Sequence, residues 1–413
     1  MIINKSYLWV AGLALSVGCS TNAKDNVAEE GTLTIEIKNP LAYTRNETLV
    51  LADDELFTDP LKPQGVTLLG HAGELIDSDQ DGQADQLVVN VDLQAQSTLS
   101  INWPNDLKLG QQLDKKVQAE ISPKVGGEWQ NRKYVGGDFQ NVDFLRVPAP
   151  HTDHSYYIRY EGPGIENELI GYRFYLDWRN AMDIFGKKVD TLVLQSVGLD
   201  GFDSYHEEEP WGLDILKAGK SLGIGSIGQY INGKVEHFKQ IDSVTCAIKA
   251  NNKLSATIET SYYGWQTSDK KSSIVSNLSI VSGDRSLQHT IAFDQPIADF
   301  CTGIVKHDAA SSFASLVGSS GWAYIATYGK QSLADDKLGM AIFYNTKDVK
   351  EVVDSSFDHL IVFKPSEEVS YHLLGAWEQE KNGIKSLEEF QKYLNAKLDA
   401  LNHPVEISVK QSL

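Results

Sequence analysis

The chain has 413 residues, 41% hydrophobic and 23% charged, a balance that fits a globular protein. Its formal net charge of −19 at pH 7 argues against a nucleic-acid partner and repels polyanions at long range, so an anionic ligand needs a locally basic pocket. Three cysteines are too few for a disulfide framework.

In chain order, MIINKSYLWVAGLALSVGC carries Lys5, an apolar run from Tyr7 to Leu15, and small residues before Cys19. The run is too short to span a bilayer and fits a secretory leader. It resembles a bacterial lipoprotein signal, with 1–18 removed and Cys19 lipidated, although Ser16 stands where leucine is usual. The alternative is an ordinary signal peptide with a coincidental cysteine. Residues 19–31 read as a polar tether. With no second long apolar run, membrane contact is expected only through the lipid anchor. That places the protein in the cell envelope of a Gram-negative bacterium, in the periplasm or on the outer-membrane surface.

TLTIEIKN, ETLVLA, GVTLLG, QLVVNVDL, STLSINW and KKVQAEIS alternate with period two between turn residues, which predicts an all-β N-terminal region over 32–125. VGGEWQNRKYVGGDF reads as a glycine- and aromatic-rich loop. Residues 126–413 read as a second unit. Its expected strands include HSYYIRYEG, LIGYRFYLDW, DTLVLQSV, SVTCAIKA, KLSATIETSYYGW and LGMAIFYN. Hairpins are expected at AIKANNKLSATIE and LSIVSGDRSLQHTIAF. One helix is predicted at SLEEFQKYLNAKLDALNHP, where Ser386 and Glu389 form a capping box and Leu387, Phe390, Leu394 and Leu398 share a face. The fold class is therefore all-β dominated: a large antiparallel β-sandwich or supersandwich with an N-terminal β region and a C-terminal helix. SNLSIVSGDRSLQHTIAFD resembles the central strands of the mutarotase-like supersandwich. Cys246 and Cys301 fit one disulfide or two buried thiols equally well.

Two stretches carry candidate chemistry. In DSDQDGQAD, Asp77, Asp79, Asp81 and Asp85 match the first positions of a calcium loop, with Gly82 at the turn, but Val88 stands where a bidentate glutamate belongs. A structural calcium is the cofactor this loop would take; an acidic hairpin turn is the competing reading. In IENELIGYRFYLDWRNAMDIFGKK, a strand from Tyr172 to Arg179 would put Arg173, Tyr175, Asp177 and Arg179 on one face. His151 and His154, three apart, lack a third local histidine for a catalytic metal. GxSxG and Walker motifs are absent, and GIGSIG lacks a βαβ context.

Arginine, tyrosine, histidine and tryptophan on a β-scaffold suit an acidic sugar. Aromatic rings stack on its C–H faces and arginine pairs with a carboxylate. β-Elimination on a uronic acid needs that carboxylate neutralised and a base for the proton on carbon 5. The expected catalytic set is Arg173 and Arg179 on the carboxylate with His206 and Tyr172 moving protons. Tyr175, Asp177, Trp211, Lys217, His154, His307 and Trp377 are expected to bind substrate, Trp211 and Trp377 as platforms. No cofactor is required for this catalysis. The competing reading makes Arg173, Asp177 and Arg179 an exposed ladder of ion pairs. If the face lines a cleft, Arg173→Ala should cost activity far more than stability.

YEGPGIENELIGYRFYLDWRNAMDIFGKK, WGLDILKAGKSLGIGS, LGMAIFYN and HLLGAWEQE resemble the signatures of domain-of-unknown-function family 4861. The resemblance spans nearly the whole mature chain, including DSDQDGQADQLV. This family of secreted bacterial proteins is often encoded beside polysaccharide-degrading enzymes and includes an oligosaccharide dehydratase of ulvan breakdown. The resemblance implies removal of water from a terminal glucuronic acid, leaving a 4,5-unsaturated uronate, with an acidic oligosaccharide as partner. The alternatives are a lipid-anchored carbohydrate-binding protein without catalysis, a uronate polysaccharide lyase, or an epimerase.

Overall fold

The computed structural model describes residues 33–201, 204–268 and 270–411. The leader, the tether and Cys19 lie outside these residues. The core of the molecule is an antiparallel sheet of nine strands, in the order 144–146, 243–251, 255–266, 271–281, 286–293, 368–377, 337–345, 322–330 and 310–314. Strict alternation builds it. In Lys271–Val281 every second residue, from Ser272 through Ile274, Ser276 and Leu278 to Ile280, is buried. Both hairpins expected from the sequence form, one turning at 252–254 and the other at 282–285.

Two five-stranded sheets cover the buried face. One has the order 212–214, 182–187, 171–174, 164–167, 117–120; the other runs 234–236, 224–231, 300–305, 358–363, 349–354. A parallel bridge from Met182 to Gly223 joins them into one layer. Between the layers lies an apolar core that includes Tyr172, Ile184, Trp265, Leu278, Met340 and Trp377. This is the large antiparallel sandwich expected from sequence.

The helix Leu387–Asn402 packs on the other face of the nine-stranded sheet. Phe390 and Leu394 sit against Tyr324, Tyr328 and Phe343. The capping box forms: Ser386 Oγ accepts from the Glu389 amide at 3.1 Å, and Glu389 Oε2 accepts from the Ser386 amide at 3.1 Å. Gly339 makes room for the helix, since a Cβ there would lie 2.6 Å from the Phe390 ring.

The N-terminal strands build a second core of their own, with Ile35, Leu68, Val89 and Trp103 at its centre. The last strand, Glu406–Gln411, returns to pair with Leu33–Lys38. Strand Val117–Glu120 pairs instead with Gly164–Asn167, so it belongs to the central layers rather than to the N-terminal sheets. Cys246 and Cys301 are both buried free thiols, which resolves the choice the sequence left open.

Several local expectations fail. HSYYIRYEG and DTLVLQSV form loops and short 3-10 turns at 159–161 and 194–196, not strands. VGGEWQNRKYVGGDF holds a small hairpin, 128–130 with 133–135. The strand read as Tyr172 to Arg179 ends at Phe174.

Candidate active site

The strand ends where two neighbours force it. Gly162 lies so close that a Cβ there would sit 1.7 Å from the Phe174 carbonyl oxygen. Beyond it, Asp177 Oδ1 accepts from the Arg179 amide at 2.8 Å, and the Asn180 amide reaches the Asp177 carbonyl at 3.0 Å, turning the chain back. Arg173, Tyr175, Asp177 and Arg179 still end in one neighbourhood, through a turn rather than a continuous face.

Arg173 is 1% exposed. Its Nε donates to Asp183 Oδ1 at 2.8 Å, and its Nη2 donates to Asp214 Oδ2 at 2.7 Å, to the Tyr175 hydroxyl at 3.0 Å and to Asp183 Oδ2. The Tyr175 hydroxyl donates to Asp183 at 2.7 Å. Burial, then the charge of Asp183, push the Asp214 carboxyl well above the usual range against the pull of Arg173. With both its neighbouring carboxylates built into the fold, Arg173 is a buried positioning group. This corrects its expected contact with a substrate carboxylate, and it also rules out the exposed ion-pair ladder at this residue.

The chain of contacts continues outward from Asp214. His206 Nε2 lies 3.5 Å from Asp214 Oδ2, and the imidazole is 32% exposed. Tyr205 tilts against the His206 ring at 4.4 Å between centroids, and its side of the pair faces a cavity of about 330 Å³. That cavity is also lined by Lys124, His154, Tyr156, Glu161 and Asp200. Burial holds the Tyr205 phenol above its ordinary pKa, so it is a protonated phenol at neutral pH.

Arg179 forms the other side of the cluster. It pairs with Asp177 at 2.5 Å, Asp153 at 2.8 Å and Glu161 at 3.1 Å, and stands 4.2 Å over the Tyr175 ring. The loop between shows backbone strain: His154, Tyr156, Tyr160 and Glu161 all have φ between 42° and 72°. Left-handed backbone at non-glycine residues costs about 1–2 kcal/mol each, and such residues concentrate at functional sites.

Other expected residues sit elsewhere. Tyr172 points to the opposite face, into the core; its hydroxyl donates to the Arg285 carbonyl at 2.6 Å and accepts from the Gly375 amide at 3.0 Å. Burial raises its pKa far above the ordinary value, so a proton-transfer role for Tyr172 is corrected. Trp377 is fully buried, packed on Gly186, with Nε1 donating to Asp336 at 2.7 Å, and offers no ring face to a sugar. Trp211 is half-buried, edge-on to Phe185. Lys217 is exposed on the loop after Gly212–Asp214, and His307 lies on the turn after Phe300–Val305, where its Nδ1 accepts from the Ala309 amide at 3.2 Å.

Asp183, Asp214 and Tyr205 were not singled out from the sequence. The signal was there: MDIF and GLDI each place one aspartate inside an apolar strand, and a buried carboxylate demands a buried cation. At the acidic loop, the carboxylates of Asp77, Asp79 and Asp81 come within 4.8 Å of one another. They already accept from backbone amides of the turn, Asp77 from Gly82 at 2.8 Å. Asp85 turns away to bond the Ser78 amide at 2.9 Å.

Fold and cluster together define a large antiparallel sandwich protein with a histidine–aspartate pair whose histidine packs on Tyr205, a residue that lines a cavity. The chain belongs to the family described as Domain of unknown function (DUF4861), whose model matches residues 37–407. Among curated proteins none matches in sequence. Two solved structures from Enterococcus faecalis are similar over most of this chain: a protein in glycosyl hydrolase family 38, and an alpha-mannosidase of strain V583. Each is 11% identical with a TM-score of 0.43, over 93% and 92% of this chain. The chain spans about half the length of each, 48% and 46%.

Proposed function

We propose that the protein is a carbohydrate-active enzyme, a carbon–oxygen lyase that removes water from a terminal uronic acid of an oligosaccharide such as one derived from ulvan. The observation that carries this reading is the His206–Asp214–Arg173 chain, whose His206 packs on Tyr205, a residue that lines a cavity together with Lys124 and His154. His206, beside Asp214, would take the carbon-5 proton. Asp214 positions the imidazole, and Arg173 holds Asp214 in place. The electron pair left on carbon 5 moves into the new double bond to carbon 4. The 4-hydroxyl leaves as water, protonated by the Tyr205 phenol or by the imidazolium. Among the described residues, Lys124 is the cation in the cavity wall for the uronate carboxylate.

The lipid anchor at Cys19 and the envelope location belong to the same proposal. The test is incubation with glucuronyl-terminated oligosaccharides. Products one water lighter, carrying a conjugated double bond, support the dehydratase. Shortened chains would point to a depolymerising lyase or a hydrolase. Deuterium entering carbon 5 without loss of water would point to an epimerase.

A further inference from the structure

Arg179, tied to Glu161 at the edge of the first cavity, also lines a second one of about 420 Å³. Nothing in the reaction just described uses this second space. Its walls carry Lys220, Lys234 and Lys239 with the aromatic rings of Trp178 and Phe357, which are 43% and 49% exposed. Against these cations stand only Glu236 and Asp358. Among the described residues, neither Lys220 nor Lys234 has a carboxylate within 4.0 Å, and the nearest carboxylate to Lys239 is Glu236 at 3.7 Å. Lys220 instead stands 5.9 Å over the Phe357 ring. Burial pushes the Asp358 carboxyl up to about 7, so about half of it is neutral near pH 7.

A chain with a net charge of −19 has carboxylates to spare for its surface lysines. Two unpaired lysines beside two exposed rings in one concavity combine cations for an anion with flat faces for sugar C–H groups. We propose that this cavity is a binding subsite for an anionic sugar unit, bearing a carboxylate or a sulfate ester. It belongs to the same oligosaccharide whose reacting end lies at His206. The inference rests on the function proposed above, and Arg179 is the residue that links the two spaces.

Calorimetry on the full chain tests it, using three oligosaccharides of equal length: neutral, uronate-bearing and sulfated. Wild type should bind at least one charged ligand about tenfold or more tightly than the neutral one, with affinity falling as salt rises. Which charged ligand is preferred identifies the anion. Lys220→Ala/Lys234→Ala and Trp178→Ala should each weaken that binding about tenfold with unchanged melting temperatures, as all three residues are exposed. Equal affinity for the neutral ligand, no binding of either charged ligand, or wild-type affinity in both variants would overturn the subsite. Lysine-dependent binding without loss of water would sink the dehydratase and leave the subsite standing; loss of water with unaltered affinity in the variants would do the reverse.

Discussion

Among the described residues, Arg173 is the one cation bridging Asp183 and Asp214, and its Nη1 has no hydrogen-bond partner. Removing it would strand two carboxylates in the interior. Breaking a buried ion pair from one side costs about 3–5 kcal/mol. Arg173→Ala should therefore lower the unfolding free energy by that amount in urea titration, opposite to the sequence expectation that activity would suffer first. A change under 1 kcal/mol would mean the residue is solvated. His289 supplies a pH dependence at the same scale. It is fully buried between the two layers, bonded to Ser276 at 2.7 Å and Tyr371 at 2.8 Å, and burial pulls its pKa down to about 4. Between pH 4 and the ordinary value of 6.5 the unfolded chain binds the extra proton. Stability contributed by the neutral ring is thus present above 6.5 and lost as pH falls to 4, on the order of 3 kcal/mol. His289→Gln should narrow its gap to wild type across that window; a gap independent of pH would contradict the assignment.

At the scale of elements, the helix over the nine-stranded sheet depends on Phe390, which is fully buried against Tyr328 at 5.5 Å between ring centroids. Phe390→Ala should cost about 3–5 kcal/mol, read as a shift in denaturant midpoint at constant m-value, and a loss under 1 kcal/mol would show that the helix docks without it. This helix was legible in the sequence because its cap, its period and its end all lie within one short segment. The N-terminal strands and the two long hairpins were legible for the same reason. The stretch 171–180 was not. Period two predicts a face, yet the strand stops at Phe174, where Gly162, just before the neighbouring strand of the same hairpin, closes on its carbonyl and Asp177 forms a turn. Ile224–Ile231, buried on both faces at its start, has no alternation to read. The partners of Arg173 lie 10 and 41 residues away, a pairing that no local pattern encodes.

Across the whole molecule, the net charge of −19 is distributed with purpose. One face of the sheet 117–120 to 212–214 buries Glu120 with Arg159, Glu166 with Lys187, and Arg173 with its two aspartates. These pairs hold the loops around the first cavity in register. The first described strand, Leu33–Lys38, pairs with the last described strand, Glu406–Gln411. The central claim is that His206, backed by Asp214, removes a proton from a uronic acid at this cavity. The most direct measurement compares wild type and His206→Ala on a glucuronyl-terminated oligosaccharide, by product mass and by absorbance of the conjugated double bond, alongside thermal melts. The account predicts a dehydrated product from wild type, a fall of at least a hundredfold in turnover for the variant, and a melting temperature close to wild type because the imidazole is 32% exposed. Wild-type turnover in His206→Ala, or an unchanged substrate mass with wild type, would contradict it.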